Sequence, residues 1–140
     1  MTKRVRVLLA DDHPGNRALL RDLLETEFDV IAVVEDGPAL LLTAASLAPD
    51  VIVTDIAMPG CDGITAARTI LRAVPGTRVV LVTVHDEPDL VERGLAAGAL
   101  GFVLKHVAGD ELIPAVQAAL RGERHVSPIQ HEQYRRCVKG

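Results

Sequence analysis

The sequence has very few aromatic residues and few cysteines. Phe, Tyr and Trp make up 2% of the 140 residues while apolar residues reach 49%, so Leu, Val, Ile and Ala must fill the core. The two cysteines, Cys61 and Cys137, have neither CxxC spacing nor the density of a disulfide scaffold. We therefore expect one aliphatic core and a reducing environment.

Long hydrophobic runs and a strongly basic balance are also missing. The apolar run after Met1 spans only about six residues, which is too short for a signal-peptide core. No run approaches the roughly 18 apolar residues that a membrane span needs. The formal net charge of −4 at pH 7 gives no whole-chain indication of nucleic-acid binding. These absences predict a single-domain, cytoplasmic protein that does not enter a membrane.

The sequence does contain a regular alternation of two periodicities. Short apolar runs of β type alternate with segments in which apolar residues recur at helical spacing, and Pro and Gly mark the joints. The strand-like runs cover 5–10, 30–34, 51–54, 79–83 and 101–104. The helical segments cover 15–27, 38–48, 64–74, 87–97 and 110–121. This alternation predicts a doubly wound α/β fold, with five parallel strands and helices on both faces of the sheet.

Two phosphate-binding patterns of α/β proteins are absent. The turn after the first strand, residues 9–15, lacks the GxGxxG pattern that lets a backbone approach a pyrophosphate, and no P-loop pattern occurs. A dinucleotide-binding fold is therefore disfavoured. A fragment of a larger α/β protein is the other alternative.

Polar residues end or directly follow four of the strand-like runs: Asp11 and Asp12, Asp55, Thr83, and Lys105. Parallel sheets bind ligands at the carboxyl ends of their strands, so we expect these side chains at one edge of the sheet. Taken singly, each residue is more simply a turn or strand-end residue. Their shared placement is what indicates a site.

The makeup of this predicted cluster suits a divalent metal and a phosphoryl group. Mg²⁺ binds through one or two carboxylates and keeps several waters. Asp62 and Thr65 are better placed than Asp55 to cap the next helix. Asp55, paired with Asp11 and Asp12, instead fits a carboxylate nucleophile that forms an acyl phosphate. Thr83 and Lys105 would supply a hydroxyl donor and a positive charge for the phosphoryl oxygens. Without a metal, repulsion among the three crowded carboxylates should raise the pKa of at least one of them.

These residues carry a resemblance to a known family. Over roughly residues 3–122 the chain resembles the receiver domain of two-component response regulators. The matching features are Asp11-Asp12, Asp55 in Asp-Ile-Ala-Met-Pro-Gly-Cys-Asp-Gly, Thr83, and residues 98–105 ending in Lys105. The resemblance implies a flavodoxin-like fold with a five-stranded sheet in the order 2-1-3-4-5.

The resemblance implies a role for each acidic residue. Asp55 would be the phosphoacceptor, which takes a phosphoryl group from a phosphohistidine of a sensor histidine kinase. Asp12 and Asp55 would bind Mg²⁺ directly, together with the backbone carbonyl of Ala57. Asp11 would act on the metal mainly through water.

The resemblance also implies which residues bind the phosphoryl group and respond to it. Lys105 would pair with one phosphoryl oxygen, and Thr83 would donate its hydroxyl to another. Phe102 matches the family's switch aromatic, which is expected to turn inward once Thr83 moves toward the phosphate; a plain core aromatic is the alternative. Activation would then shift a surface of the domain between two states, because phosphorylation changes the local charge.

Three shorter runs, 11–14, 84–86 and 121–128, resemble the NarL/LuxR-like subfamily, whose receivers precede a DNA-binding helix-turn-helix domain. We therefore expect a receiver domain over 1–122. Residues 123–140 would be a tail or a truncated linker toward a helix-turn-helix domain absent from this chain. Transcriptional control would need that further domain to contact DNA, and a homodimer on phosphorylation is the expected form of output.

Other interpretations stay open. A hydrolase of the phosphoaspartate class needs a second acid two residues after the nucleophile, where this chain has Ala57, so a switch is favoured over a turnover enzyme. A stand-alone or phosphate-independent interaction module would not need the intact cluster. His13, His85 and His106 follow strands and could bind Zn²⁺ instead. Cys61 is interpreted as a half-buried apolar substitute rather than a redox-sensitive thiol.

Overall fold

Strands and helices alternate along the chain as the two periodicities predict. The computed structural model describes residues 4–128. The strands are β1 (Arg6–Ala10), β2 (Asp29–Val34), β3 (Val51–Asp55), β4 (Arg78–Thr83), β5 (Gly101–Leu104) and β6 (His125–Val126). The helices are α1 (Pro14–Glu25), α2 (Gly37–Leu47), α3 (Gly63–Ala73), α4 (Pro88–Ala96) and α5 (Ala108–Leu120). In this part of the chain, no helix combines the length and the apolar character that crossing a membrane requires.

The sheet is entirely parallel, with the strand order β2-β1-β3-β4-β5-β6. The winding reverses at β1, because the chain passes from β1 outward to β2 and then back across to β3. Sheets of this kind bind ligands in the crevice where the winding reverses. That crevice lies at the carboxyl ends of β1 and β3, which end at Ala10 and Asp55. The predicted doubly wound, flavodoxin-like fold is confirmed.

A sixth strand corrects the predicted count of five. The chain leaves α5, turns through Gly122 and adds β6 beside β5, with Gly101 paired to His125 and Phe102 to Val126. The His125 N–H donates to the Leu100 carbonyl at 2.9 Å, and the Ser127 N–H donates to the Phe102 carbonyl at 2.8 Å. The residues that follow α5 therefore cover the edge of the sheet.

Each face of the sheet carries its own hydrophobic core. One core joins the strands to α1 and α5, and the other joins them to α2, α3 and α4. Successive residues of β3 alternate between the two: Val51 and Val53 face α1 and α5, whereas Ile52 faces the other helices. Because both faces are covered, the strands are apolar along almost their whole length.

Short polar side chains fix where two of the helices near the crevice begin. The Thr65 N–H donates to Asp62 Oδ1 at 2.9 Å, and the Ala39 N–H donates to Asp36 Oδ1 at 2.8 Å. Such N-caps satisfy backbone donors that have no partner inside the helix. Asp62 is thus the cap that the sequence favours for α3, which leaves Asp55 without a capping role.

Ala48 ends α2 in the left-handed region, with φ 44° and ψ 63°. This conformation costs an L-residue about 1–2 kcal/mol, and glycine recovers part of that. We expect Ala48→Gly to raise the free energy of unfolding by about 0.5–1 kcal/mol in urea denaturation. The control Ala45→Gly, at an exposed position inside α2, should lower it by about 1 kcal/mol. A loss of stability in Ala48→Gly would contradict the prediction.

Candidate functional site

Three aspartates meet at the crevice between β1 and β3. Asp11 and Asp12 directly follow β1, and Asp55 is the last residue of β3. One carboxylate oxygen from each lies within 4.8 Å of the others. Asp11 and Asp55 are buried, whereas Asp12 is exposed. The structure therefore brings together the three acids that the sequence places at this edge.

Asp11 is held rigidly beneath the crevice. The His13 N–H donates to its Oδ1 at 2.8 Å, and the Arg17 guanidinium donates to its backbone carbonyl at 3.0 Å. Its Oδ2 lies 2.9 Å from Lys105 Nζ but receives no well-aligned hydrogen bond, although the atom is buried. A buried carboxylate oxygen with coordination to spare is an available ligand for a cation.

Lys105 bridges the two buried carboxylates. Its Nζ lies 2.9 Å from Asp11 Oδ2 and 2.9 Å from Asp55 Oδ2, and its side chain is 12% exposed. Burial alone would lower the pKa of the Lys105 ammonium, but the close contacts and negative charges of Asp55 and Asp11 outweigh it, so the net pKa is raised. Lys105 is therefore a positive charge placed between two carboxylates.

The carboxyl group of Asp55 is less acidic than an ordinary one. Burial raises the pKa of Asp55 most strongly, and the hydrogen bond and charge of Lys105 oppose this rise. The negative charge of Asp11 adds to the rise, while the Ala57 N–H, which donates to Asp55 Oδ1 at 3.2 Å, works against it. The net shift is upward. The predicted crowding effect is thus present, although burial contributes more than the neighbouring carboxylate.

The loop that follows Asp55 is packed closely between two helices. A Cβ added at Gly63 would overlap the Asp55 carbonyl oxygen, and one added at Gly37 would overlap the Cys61 carbonyl oxygen. The Gly37 N–H also donates to the Pro59 carbonyl at 3.2 Å. Two glycines therefore let α2 and α3 approach the backbone that positions Asp55.

Cys61 lies in this same loop and is half-buried. Burial raises the pKa of its thiol, and the charge of Asp62 raises it further. A raised pKa means little thiolate near neutral pH, and thiolate is the reactive form. The structure thus agrees with an apolar packing role for Cys61.

Thr83 and Phe102 lie beside the crevice on the face covered by α3 and α4. Asp55 is in register with Val82, so Thr83 is the next residue along β4. The Thr83 hydroxyl oxygen accepts from the His85 N–H at 3.1 Å, and the residue is fully buried. Phe102 is also fully buried in the core on this face. Both side chains therefore lie in the interior beside the crevice.

The donor chemistry of the crevice fits a hard divalent cation. Within residues 4–128, Asp11, Asp12 and Asp55 are the one cluster of His, Cys, Asp and Glu side chains that could hold a metal ion. Carboxylate oxygens suit Mg²⁺, and the spare coordination of Asp11 Oδ2 supports the fit. The zinc alternative gains no support, because the His13 Nδ1 accepts from the Asn16 N–H and caps α1.

Arg17 is a contact of this site that the sequence analysis did not identify. It lies in the first turn of α1, and its guanidinium reaches back to the Asp11 carbonyl at 3.0 Å while lying 3.7 Å from Glu35. The signal was available in principle, because an arginine one helical turn beyond a strand-end carboxylate lies near that strand end. Arg17 thus adds positive charge behind Asp11.

Comparison with known proteins identifies the family. The response regulator receiver domain matches residues 7–117 of the chain. The transcriptional regulatory protein YxjL of Bacillus subtilis is 41% identical over 122 residues, which is 86% of this chain and 56% of the relative. The chain thus spans little more than half the length of that curated relative.

Solved structures agree in both fold and subfamily. The signal receiver domain of the response regulator NarL from Mycobacterium tuberculosis has a TM-score of 0.82 at 36% identity, covering 87% of this chain and 100% of that domain. A LuxR-family two-component response regulator from Aurantimonas sp. SI85-9A1 has a TM-score of 0.90 at 30% identity, covering 99% of this chain and 100% of that one. The chain belongs to the response regulator receiver domain family, within its NarL/LuxR-like group.

Proposed function

We propose that this chain is a phosphoacceptor switch, in which Asp55 takes a phosphoryl group from a sensor histidine kinase. One observation carries the proposal: Lys105 Nζ lies 2.9 Å from both Asp11 and Asp55, within a cluster of three carboxylates. This arrangement supplies a nucleophile, ligands for a divalent metal and a positive charge for a phosphoryl oxygen. Receiver domains are signalling modules rather than turnover enzymes, and Ala57, at the position of a hydrolase's second acid, fits that role.

In the proposed reaction, a carboxylate oxygen of Asp55 attacks the phosphorus of a phosphohistidine. The new O–P bond gives an acyl phosphate, and the P–N bond breaks, with its electron pair passing to the imidazole nitrogen of the kinase. Lys105 has three N–H donors, and its carboxylate contacts use at most two of them. The remaining donor is available for a phosphoryl oxygen.

Mg²⁺ is the proposed cofactor, held by Asp12 and Asp55 and by the backbone carbonyl of Ala57, with Asp11 acting mainly through water. When bound, the ion would keep the carboxylates anionic and offset the charge of the incoming phosphoryl oxygens. The buried Asp11 Oδ2, which lies 2.9 Å from Lys105 Nζ but receives no well-aligned hydrogen bond, supports this assignment. Arg17 and the His13 N–H would keep Asp11 oriented toward the ion.

Thr83 and Phe102 are proposed to convert the phosphoryl group into a surface change. The Thr83 hydroxyl would turn from its contact with the His85 N–H to a phosphoryl oxygen. Phe102 shares the face of the sheet with Thr83, and a Cβ at Gly94 of α4 would lie 3.7 Å from its ring. In this proposal, a shift of Thr83 changes how Phe102 packs against α4, because both residues lie on the same face of the sheet.

We propose that the changed face favours a homodimer and regulates transcription through a DNA-binding domain beyond this chain. The name of YxjL, a transcriptional regulatory protein, supports this output. In this proposal, residues 1–122 form the receiver, β6 extends its sheet, and residues 123–140 as a whole lead toward the further domain in the cytoplasm. Light scattering with and without a phosphodonor should show an increase in mass toward a dimer.

The proposal predicts covalent uptake of one phosphoryl group. Incubation with Mg²⁺ and acetyl phosphate should add the mass of a single phosphoryl group, in an acid-stable and base-labile form, because an acyl phosphate is cleaved by hydroxide. Asp55→Asn should remove the gain, since an amide does not attack phosphorus. Intact-mass spectrometry measures both. Wild-type protein without any mass gain, or Asp55→Asn with the same gain, would contradict the proposal.

Asp12→Asn should weaken Mg²⁺ binding about tenfold or more while leaving the fold intact. Asp12 is exposed, so its substitution should change the free energy of unfolding by less than about 0.5 kcal/mol. Losing one of two direct carboxylate ligands removes much of the attraction for a hard cation. A Mg²⁺ titration followed by thermal unfolding measures both quantities. Asp22→Asn, an exposed acid on α1, is the control, and equal Mg²⁺ affinities in the two variants would refute the assignment.

A further inference from the structure

The residues that follow α5 make a buried polar contact with the end of β5. The Ser127 hydroxyl donates to Glu111 Oε1 at 2.7 Å, and its oxygen accepts from the Leu104 N–H at 3.1 Å. Ser127 is 1% exposed. A hydroxyl has one proton and two lone pairs, so the bond to Glu111 directs a lone pair toward Leu104. The contact therefore links the segment after α5 to both α5 and β5.

Leu104 is the residue at which the chain turns into the site. It ends β5, and the next residue, Lys105, begins a single turn of 3-10 helix that leads into α5. On one side Leu104 is in register with Thr83 of β4. On the other side its N–H donates a hydrogen bond to the Ser127 hydroxyl oxygen. Leu104 is therefore fixed between a predicted phosphate-binding residue and the segment after α5.

The position of this turn decides where Lys105 reaches. The Lys105 ammonium must lie between Asp11 and Asp55, at the ends of β1 and β3, although its backbone lies at the end of β5, two strands away from β3. A side chain that spans this distance is sensitive to small movements of its own backbone. A hydrogen bond to the preceding amide is therefore well placed to control its reach.

We propose that Ser127 is a positioning residue for phosphoryl uptake at Asp55: through the Leu104 amide it fixes the turn that brings Lys105 to the carboxylates. The inference rests on the proposed function. Glu111 orients the Ser127 hydroxyl, and the backbone bond from Ser127 to the Phe102 carbonyl holds the segment against β5. The site is thus completed by residues outside the 7–117 match to the family.

Ser127→Ala tests this role. A misplacement of about 1 Å can cost about a hundredfold in rate, so we expect the rate of mass gain at saturating acetyl phosphate to fall between about five- and fiftyfold. Mg²⁺ affinity should not fall, because the carboxylates lie at the ends of β1 and β3, which do not contact β6. The Leu104 amide should exchange faster with solvent, measured by NMR. Ser127→Thr, which keeps the hydroxyl, should restore most of the rate.

Two control variants separate positioning from general loss of structure. His125→Ala removes the contact at 3.1 Å to the same Glu111 oxygen but keeps the bond from Ser127 to Leu104, so its rate should fall less than about twofold. Ser46→Ala, an exposed serine on α2, should have no effect.

The outcomes distinguish this inference from the proposed function. Wild-type protein that gains no mass contradicts both. Wild-type protein that gains mass at the same rate as Ser127→Ala contradicts only the positioning role. A parallel loss of rate, Mg²⁺ affinity and thermal stability in Ser127→Ala would also overturn it, since that pattern indicates a merely structural residue.

Discussion

Replacing Lys105 with methionine should lower the free energy of unfolding by about 3–5 kcal/mol at neutral pH without divalent metal, because breaking a buried ion pair leaves charge uncompensated. Lys105 faces the side chains of Asp11 and Asp55, which are 0% and 7% exposed. Methionine keeps the apolar stem and removes the ammonium, so two buried carboxylates are left beside each other. Urea denaturation at pH 7 with a chelator measures the loss.

This loss of stability should depend on pH in a defined direction. The pKa of Asp55 is already raised, and removing Lys105 takes away the largest influence that lowers it. A raised carboxyl pKa means that stability falls as pH rises from the ordinary value of 3.8 through the folded value. The difference between variant and wild type should therefore be small below pH 3.8 and large near neutrality. It should shrink again above 10.5, as the wild-type ammonium, whose pKa is raised, loses its proton.

An exposed ion pair provides the control for this substitution. Arg121 lies 2.6 Å from Glu123, and both side chains are more than half exposed. Arg121→Met should change the free energy of unfolding by less than about 0.5 kcal/mol. If Lys105→Met costs no more than this control, the ammonium does not hold the two carboxylates together. Saturating Mg²⁺ should recover part of the loss in Lys105→Met, since a second cation then faces the same oxygens.

Gly63→Ala should be the most damaging single-methyl change near the site, with a loss of about 3 kcal/mol. The added Cβ would overlap the Asp55 carbonyl oxygen and lie 3.0 Å from the Ile56 Cα. Both neighbours are backbone atoms, so no side-chain rotation relieves the contact, and overpacking of this kind typically costs about 1–3 kcal/mol or more. Phosphoryl uptake should fall as well, because α3 would push on the residue that accepts the group.

A second helical glycine gives the matched control. Gly109 lies in the first turn of α5, and a Cβ there would meet no atom within 4 Å. Gly109→Ala should leave stability unchanged or raise it by up to about 1 kcal/mol, through better helix propensity. Urea denaturation and mass gain from acetyl phosphate should be measured on both variants. Equal stabilities for the two variants would show that the start of α3 can shift to accommodate a methyl group beside Asp55.

The position of the site was predictable because its residues sit at strand ends. Asp55, Thr83 and Lys105 each follow a short apolar run, and the rules of parallel sheets bring the carboxyl ends of such runs to one edge. A raised pKa in at least one of the three carboxylates was also predictable, and the structure assigns it to Asp55. Its main cause was not, since burial depends on how α3 and the loop close over the strand end.

The contacts that support the site carry no comparable signal in the sequence. Gly63 reads as an ordinary helix-start residue, and only the close approach of α3 to Asp55 makes a side chain intolerable there. Strand β6 has two residues, which is too few to show a period of two. Ser127 reads as a loop serine until the chain folds back along β5. Each depends on contacts between segments distant in sequence.

The two phenylalanines of the chain lie on opposite sides of the sheet. Phe28 packs in the core with α1 and α5, and Phe102 packs in the core with α2, α3 and α4. Biosynthetic incorporation of fluorophenylalanine would therefore give a fluorine NMR spectrum with one resonance from each layer. The Phe102 resonance would report on rearrangement near Thr83, while the Phe28 resonance would serve as an internal reference in the same molecule.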